Sequence, residues 1–449
     1  MTSPAKGLLA GPVDALRGLY YGWYVVAALF VMLTTASGLA FYNLSVYMNA
    51  LVATYGFPVG AVSTAIAVFF VSSGLAGLGA ARAIQDHDPR WTIALGGVLG
   101  AVALLALGSV TELWQLYVVY ALFGTGHACA ALVPATTLVA RWFVKKRSIA
   151  LSVASTGLSL GGVMVTPASA ALIASSGLEA VSPWLAAGWV LGIVPITALI
   201  VRAAPDDSDV EVPLAPGATG AAAAGAQAAA TTGAPAAGAV RITPGWMRED
   251  ALRSRWFLLI TGAWVLLMLA QVGGISHLYN LAATRADTAT GATAVSLMAT
   301  CSILGRFAGG WLISRFDTRT FALVCIVWQV MSMTVLALAS TSSALLLGAG
   351  LFGASVGNLL MLQPLLLAEA FGVRDYGRIF SLSQLVTTLG VASGPALLGL
   401  LYDALGGYGP SFALAACASS LALVAMLVMG PLPNADGPRQ DSDLVGRTS

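Results

Sequence analysis

Residues 291–314 read GATAVSLMATCSILGRFAGGWLIS, uncharged throughout except for Arg306. A stretch of this length and apolarity crosses the hydrocarbon core of a bilayer as a helix, and the arginine inside it gives the stretch its meaning. An arginine at the bilayer centre costs from ~3 to above ~10 kcal/mol and is tolerated where it faces a cavity or a partner. A fixed cation beside a membrane cavity points to an anionic substrate.

The rest of the chain agrees with a membrane setting. Of 449 residues, 58% are hydrophobic and 9% charged, with a mean hydropathy of +0.86, against roughly 25% charged in a soluble domain. Further apolar runs of membrane length lie near 23–43, 60–81, 91–110, 113–139, 149–173, 183–201, 256–279, 320–340, 344–368, 379–402 and 410–430. The expected fold is therefore an all-α integral membrane protein with twelve transmembrane helices in two six-helix bundles. Its expected parts are an N-terminal segment 1–22, a first bundle 23–202, a linker 203–255, a second bundle 256–430 and a tail 431–449. The linker starts acidic (Asp206, Asp207, Asp209, Glu211) and then runs through Ala, Gly, Thr and Pro from 215 to 240, a composition with little to bury.

Charge sets the orientation. With the N-terminus inside, the cytoplasmic segments hold nineteen of the twenty-one Lys and Arg residues, leaving Arg285 outside and Arg306 in the membrane. That bias predicts a multi-pass protein of the cell (inner) membrane with both termini cytoplasmic. The basic cluster Arg141, Lys145, Lys146 and Arg147 reads as a topology anchor, with anionic-lipid recognition as the weaker alternative. The net charge of +2 predicts no nucleic-acid partner. The first 22 residues lack the apolar region and cleavage site of a signal peptide, so the first span is expected to remain. Cys129, Cys301, Cys325 and Cys417 sit in apolar runs without metal-ligand or disulfide spacing, which suits packing. No nucleotide-binding loop, metal cluster or nucleophile-base-acid set emerges, so neither a cofactor nor an enzyme activity is expected.

The two bundles are related in sequence. A shift of 233 pairs Trp23 with Trp256, Ala61-Val62-Ser63 with Ala294-Val295-Ser296, Gly77 with Gly310, and Arg82 with Arg315. It also pairs Gly124 with Gly357, Gly157 with Gly390, and Gly161 with Gly394. Duplication of a six-helix unit accounts for this, and many transporters rock two such halves about a central site. Under the same shift Arg306 falls on Ser73, so the cation belongs to one half alone.

Several segments carry a family resemblance over nearly the whole membrane-embedded chain. They are Tyr21-Gly22-Trp23-Tyr24, Phe41-Tyr42-Asn43-Leu44-Ser45-Val46-Tyr47, Arg141-Trp142-Phe143 with Lys146-Arg147-Ser148, Gly305-Arg306-Phe307-Ala308-Gly309-Gly310, and Gly394-Pro395 followed by Gly399, Tyr402-Asp403 and Gly406. With these the chain resembles the major facilitator superfamily (MFS), close to its bacterial monocarboxylate and oxalate-formate branch. The resemblance implies the MFS fold and gives the arginine of the eighth span, Arg306, the role of carboxylate binder. Guanidinium suits that role physically, since its paired N–H donors match a carboxylate and it stays charged when buried. An arginine held by a helix carbonyl or a buried acid, gating rather than binding, is the alternative. The chain departs from the family pattern in three places. Ser302 stands where an acid often precedes the arginine, the run Ile379–Leu401 lacks a second cation, and Ala81 and Ser314 replace the acid of the Gly-x-x-x-Asp-Arg loops. A single fixed cation fits a monoanion better than a dianion.

Polar groups expected near the substrate are Asn43 and Tyr47 on the first span, Tyr120 on the fourth and His277 on the seventh, with Gln271, Asn358, Gln363 and Gln384 as weaker candidates. Candidates for carrying a coupling proton are His277, His127 and Glu369. For His127 a satisfied core histidine is the competing reading, and for Glu369 a pairing with Arg374 or Arg378 at the inner gate. Gly157, Gly161, Gly390, Gly394 and Pro395 are expected to let helices pack closely and slide, and Arg82 and Arg315 to belong to the gate. Together these residues describe a monomeric secondary transporter that moves a small organic anion by alternating access, driven by a proton or a counter-anion. An exporter of amphipathic metabolites or drugs, and a non-transporting receptor or sensor, remain alternatives.

Overall fold

The computed structural model describes residues 20–143, 146–202, 246–313, 315–372, 375–431 and 433. Eleven helical runs among them are long and apolar enough to cross a membrane. The longest, Ile149–Ile200, has 52 residues, which at about 1.5 Å per residue would reach roughly 78 Å, far beyond a hydrocarbon core of about 30 Å. Gly177 breaks it with φ 82° and ψ 159°, a backbone that residues bearing a Cβ rarely adopt. The run is thus two membrane-length helices, which makes twelve among the described residues. The spans are α1 (Gly22–Tyr55), α2 (Val59–Asp86), α3 (Pro89–Leu107), α4 (Leu113–Val139), α5 (149–176), α6 (178–200), α7 (Arg255–Arg285), α8 (Thr288–Ile313), α9 (Thr318–Leu338), α10 (Ser342–Phe371), α11 (Tyr376–Leu405) and α12 (Tyr408–Val428). The first span runs twelve residues past its expected end at 43, because a π-helical turn at Ser37–Tyr42 carries the backbone on into Leu44–Tyr55. Apolar side chains that elsewhere would be buried, such as Trp91, Trp184 and Leu199, are largely exposed on the outside of the bundle, as a lipid solvent allows.

The duplication is visible in packing. In the first half α1 packs on α5, α2 on α4 and α3 on both α4 and α6; in the second α7 packs on α11, α8 on α10 and α9 on both α10 and α12. The contacts repeat almost residue for residue. A Cβ on Gly124 would collide with the Phe69 carbonyl, and one on Gly357 with the carbonyl of Ser302, the residue 233 positions later. Gly157 and Gly161 press against the Phe30 and Thr34 carbonyls of α1, while Gly390 and Gly394 press against the Val265 and Leu269 carbonyls of α7. These four glycines were expected at sliding contacts. The close packing they give lies inside each half, backbone against backbone.

Of the linker expected over 203–255, residues 203–245 fall outside the described residues. Its end is docked on the second half. Trp246 N–H donates to the Phe371 carbonyl at 2.9 Å, and Arg248–Arg253 forms a short helix packed on α7 and α11. The end of the bundle bearing residues 20, 202 and 246 is called the linker end, and the opposite one the far end. At the far end Arg285 donates to the Leu336, Ala337 and Ala339 carbonyls at 3.0, 3.2 and 2.6 Å, a cationic cap on α9.

Candidate functional site

Arg306 lies on α8 and is half-buried. It forms no hydrogen bond or ion pair with any described residue. Gly357 lets its stem lie flat on α10, since a Cβ there would stand 2.9 Å from the arginine Cγ. One turn earlier, where an acid could neutralise the guanidinium, Ser302 is buried with its hydroxyl unpartnered. Across the divide between halves, the Tyr42 hydroxyl of α1 is close enough to interact electrostatically with Arg306. Tyr42 also approaches Ser159 of α5, whose hydroxyl stays without a hydrogen bond of good geometry.

Two wide helical turns form this wall of the first half. The π turns Ser37–Tyr42 and Gly161–Val165 pack on each other, and such turns often mark functional sites. At their junction Gly162 gives α5 access to both neighbours: a Cβ there would stand 2.8 Å from Ala299 Cβ on α8 and 3.0 Å from the Tyr42 ring. Phe41 then continues onto Phe70 of α2 with ring centroids 5.9 Å apart. The guanidinium therefore interacts with the Tyr42 hydroxyl, and no carboxylate among the described residues pairs with it.

The halves close on each other at the far end. Gly60 N–H of α2 donates to Asp403 Oδ2 of α11 at 2.6 Å, and Ser63 meets His277 Nε2 of α7 at 3.3 Å. A crevice of only about 150 Å³ remains there between Asn49, Ala53 and Ile173 of the first half and Tyr279 and Thr288 of the second. Towards the linker end, Leu132–Trp142 of α4 packs on α1, α2, α3 and α5, and α10 packs on α7, α8, α9 and α11, each within its own half. A larger apolar hollow of about 380 Å³ lined by Leu297, Cys301 and Trp328 offers no charge to an anion. The architecture is that of a transporter closed at the far end.

Sequence comparison agrees with this geometry. The family model described as Major Facilitator Superfamily matches residues 30–284 and 257–445. The chain belongs to the major facilitator superfamily. It is a multi-pass secondary transporter, and not an enzyme. It is similar to monocarboxylate transporter 13 of Bos taurus, 24% identical over 407 residues that cover 88% of this chain and 86% of the relative. Similarity to the MFS transporter asaE of Aspergillus flavus is 25% over 315 residues, covering 70% and 64% respectively. Among solved structures, the nucleoside transporter NupG superposes with a TM-score of 0.68 at 12% identity, covering 91% of this chain and 100% of that one, a likeness of fold.

Within this MFS transporter the other expected site residues fall into separate places. Asn43 donates to Ser169 Oγ at 2.7 Å and to the Tyr47 hydroxyl at 3.2 Å, and accepts from Ser169 at 3.0 Å. Tyr47 donates to the Leu39 carbonyl at 2.8 Å. Both are buried; Asn43 braces α1 on Ser169 of α5, and the Tyr47 hydroxyl is bonded within α1. Asn43→Ala should lower stability by about 1–2 kcal/mol, read as a fall in Tm of the detergent-purified protein, with Asn43→Asp retaining part of it. Tyr120 is buried with an unpartnered hydroxyl beside Tyr47.

The proton candidates differ sharply. His127 Nδ1 meets Ser73 Oγ at 3.3 Å and its ring lies 5.3 Å from that of Phe69, so it is held in the first half at the place where the repeat sets Ser73 against Arg306. Glu369 is exposed and accepts from the Thr318 hydroxyl at the first turn of α9; of its two expected partners, Arg378 forms no ion pair with it and Arg374 lies outside the described residues. His277 is fully buried at the junction of α2, α7, α11 and α12, and Pro395 supplies it a carbonyl. Arg82 is exposed, and Arg315 lies over the Trp311 ring at 4.3 Å. Tyr42, Ser159 and the Gly60–Asp403 contact escape sequence reading, although Tyr42 and Asp403 stand inside the family segments.

Proposed function

We propose that this transporter carries a small monocarboxylate through alternating access, with Arg306 as the carboxylate anchor, in a cell membrane with both termini cytoplasmic. The observation that carries the reading is a half-buried guanidinium in the eighth span with no hydrogen bond or ion pair to any described residue. A cation so placed is stabilised by an anion that arrives with its own charge, and a carboxylate matches its paired donors. The expected orientation makes the far end extracellular, so the contact of Gly60 with Asp403 closes the outer side. One anchor cation favours a monoanion, the Phe41 and Phe70 wall suits an apolar tail, and the similarity to a monocarboxylate transporter supports the class. The bilayer and this one chain complete the functional unit, and a proton is the favoured driving ion over a counter-anion.

The test is thermal stabilisation of detergent-purified protein by a panel of small mono- and dicarboxylates and bulky amphipathic cations, since a ligand bound to the native state raises apparent stability by mass action. Monocarboxylates should raise the Tm of wild type and leave folded Arg306→Ala unmoved. A response to the amphipathic compounds alone would remove the monocarboxylate reading and put an exporter in its place.

A further inference from the structure

We propose that His277 is the proton-binding site of this transporter, and that the bound proton is read by the tie between α2 and α11 at the far end. The inference deepens the proton-coupled reading and is independent of which acid is carried.

The wiring of the ring places a hydrogen on Nε2. Nε2 lies 2.9 Å from the Pro395 carbonyl, which only accepts, so Nε2 carries a hydrogen. Ser63 confirms this assignment, for its hydroxyl hydrogen goes to the Val59 carbonyl at 2.6 Å and its oxygen is left to face Nε2 at 3.3 Å. Nδ1 of the neutral ring is then an acceptor, and Tyr408 stands 3.4 Å away to donate to it.

A second arrangement is already built in. Asn280, three residues along α7, lies beside the Tyr408 hydroxyl, and its amide oxygen is buried without a partner. When Nδ1 takes a proton, the Tyr408 oxygen accepts from it and turns its own hydrogen to Asn280 Oδ1. The amide rotation this needs lies within the ordinary freedom of an Asn side chain. The ring gains a charge without losing the Pro395 bond.

Asp403 decides what that charge does. From α11 it is the charged group that faces His277; α12 contributes Tyr408, on which Tyr402 of α11 packs at 4.4 Å. From α2 comes Ser63, which reaches Met48 of α1 at 3.4 Å, and no further charged group among the described residues of α1, α8 or α10 acts on the ring. The carboxylate available to balance an imidazolium is thus the one that holds Gly60 N–H. Proton binding draws Asp403 away from α2 and favours hydration of the ring, which loosens the far end. Proton release restores the tie, and the Gly60 contact with Asp403 is the closed arrangement. The repeat puts Leu44 opposite His277, so the device, like Arg306, belongs to one half.

The experiment uses the full chain in nanodiscs without substrate, spin-labelled at Ser109→Cys and Ser343→Cys, exposed far-end positions in opposite halves, with the four native cysteines replaced by alanine. As pH falls from about 8 to about 5, the range in which imidazole titrates, the distance should lengthen in the His277 protein. In His277→Gln, whose amide still donates to Pro395, the distance should stay at its pH 8 value. Tyr408→Phe, which removes the acceptor for Nδ1–H, should move the midpoint about one unit more acid, a tenfold weaker proton site. A His277→Gln curve that follows the parent, or a parent that ignores pH, overturns the proposal, and an unmoved Tyr408→Phe midpoint overturns the hydroxyl switch. Failure of every carboxylate in the thermal panel would leave these distances unaffected, so the two readings fail separately.

Discussion

Alanine at position 306 lowers carboxylate uptake into proteoliposomes to about one hundredth of wild type or less, because charge-assisted hydrogen bonds contribute about 1.5–3 kcal/mol each and about 1.4 kcal/mol is a factor of ten in affinity. The decisive companion result is the stability of the empty protein, which should hold or rise. Arg306 makes no hydrogen bond or ion pair with a described residue, so its removal takes a costly charge out of the membrane and breaks little else. A structural or gating arginine behaves oppositely, since its loss strands the groups it held. Lysine at 306 restores the charge but not the fork, and should recover only a small part of the uptake. Full uptake by Arg306→Ala, or a Tm that falls by several degrees, would end the anchor reading.

How much of this was legible beforehand depends on the range of each interaction. The spans are local, and their apolar runs could be counted directly; the largest miss is the α1 extension past 43, where the π turn Ser37–Tyr42 carries the helix on into Leu44–Tyr55. The repeat was legible as well, and the Gly124–Phe69 and Gly357–Ser302 contacts reproduce its register. Arg306 stood out because a membrane penalises its charge wherever the neighbours lie. Partners are another matter. Asn43 and Tyr47 look like cavity polar groups until Ser169, 126 residues away, takes both amide atoms of Asn43. Gly157 and Gly394 announce close packing, but composition does not say whether the packed helix belongs to the same half. The contact of Gly60 with Asp403 spans 343 residues, and no local pattern marks a glycine N–H as its partner.

That contact supports the second large effect. Cysteines at Gly60 and Leu400, oxidised to a disulfide, should stop transport completely, and reductant should restore it. A Cβ on Gly60 would lie 3.2 Å from Leu400 Cα, so the two α-carbons stand at most about 4.7 Å apart, at the short edge of the range of about 4.4–6.8 Å that disulfides favour. Because Gly60 belongs to the first half and Leu400 to the second, the bond fastens α2 to α11 where the far end closes. Each half is packed backbone to backbone at its own glycine contacts, while this surface joins one half to the other, so in alternating access a covalent tie here blocks their separation. The tie lies at the far end, away from Arg306. The crosslinked transporter should therefore still be stabilised by a carboxylate in detergent while carrying none across a bilayer, a separation of binding from flux that a merely misfolded variant cannot show. Continued uptake by the oxidised pair, with the disulfide verified by mass spectrometry, would mean that α2 and α11 do not part during the cycle.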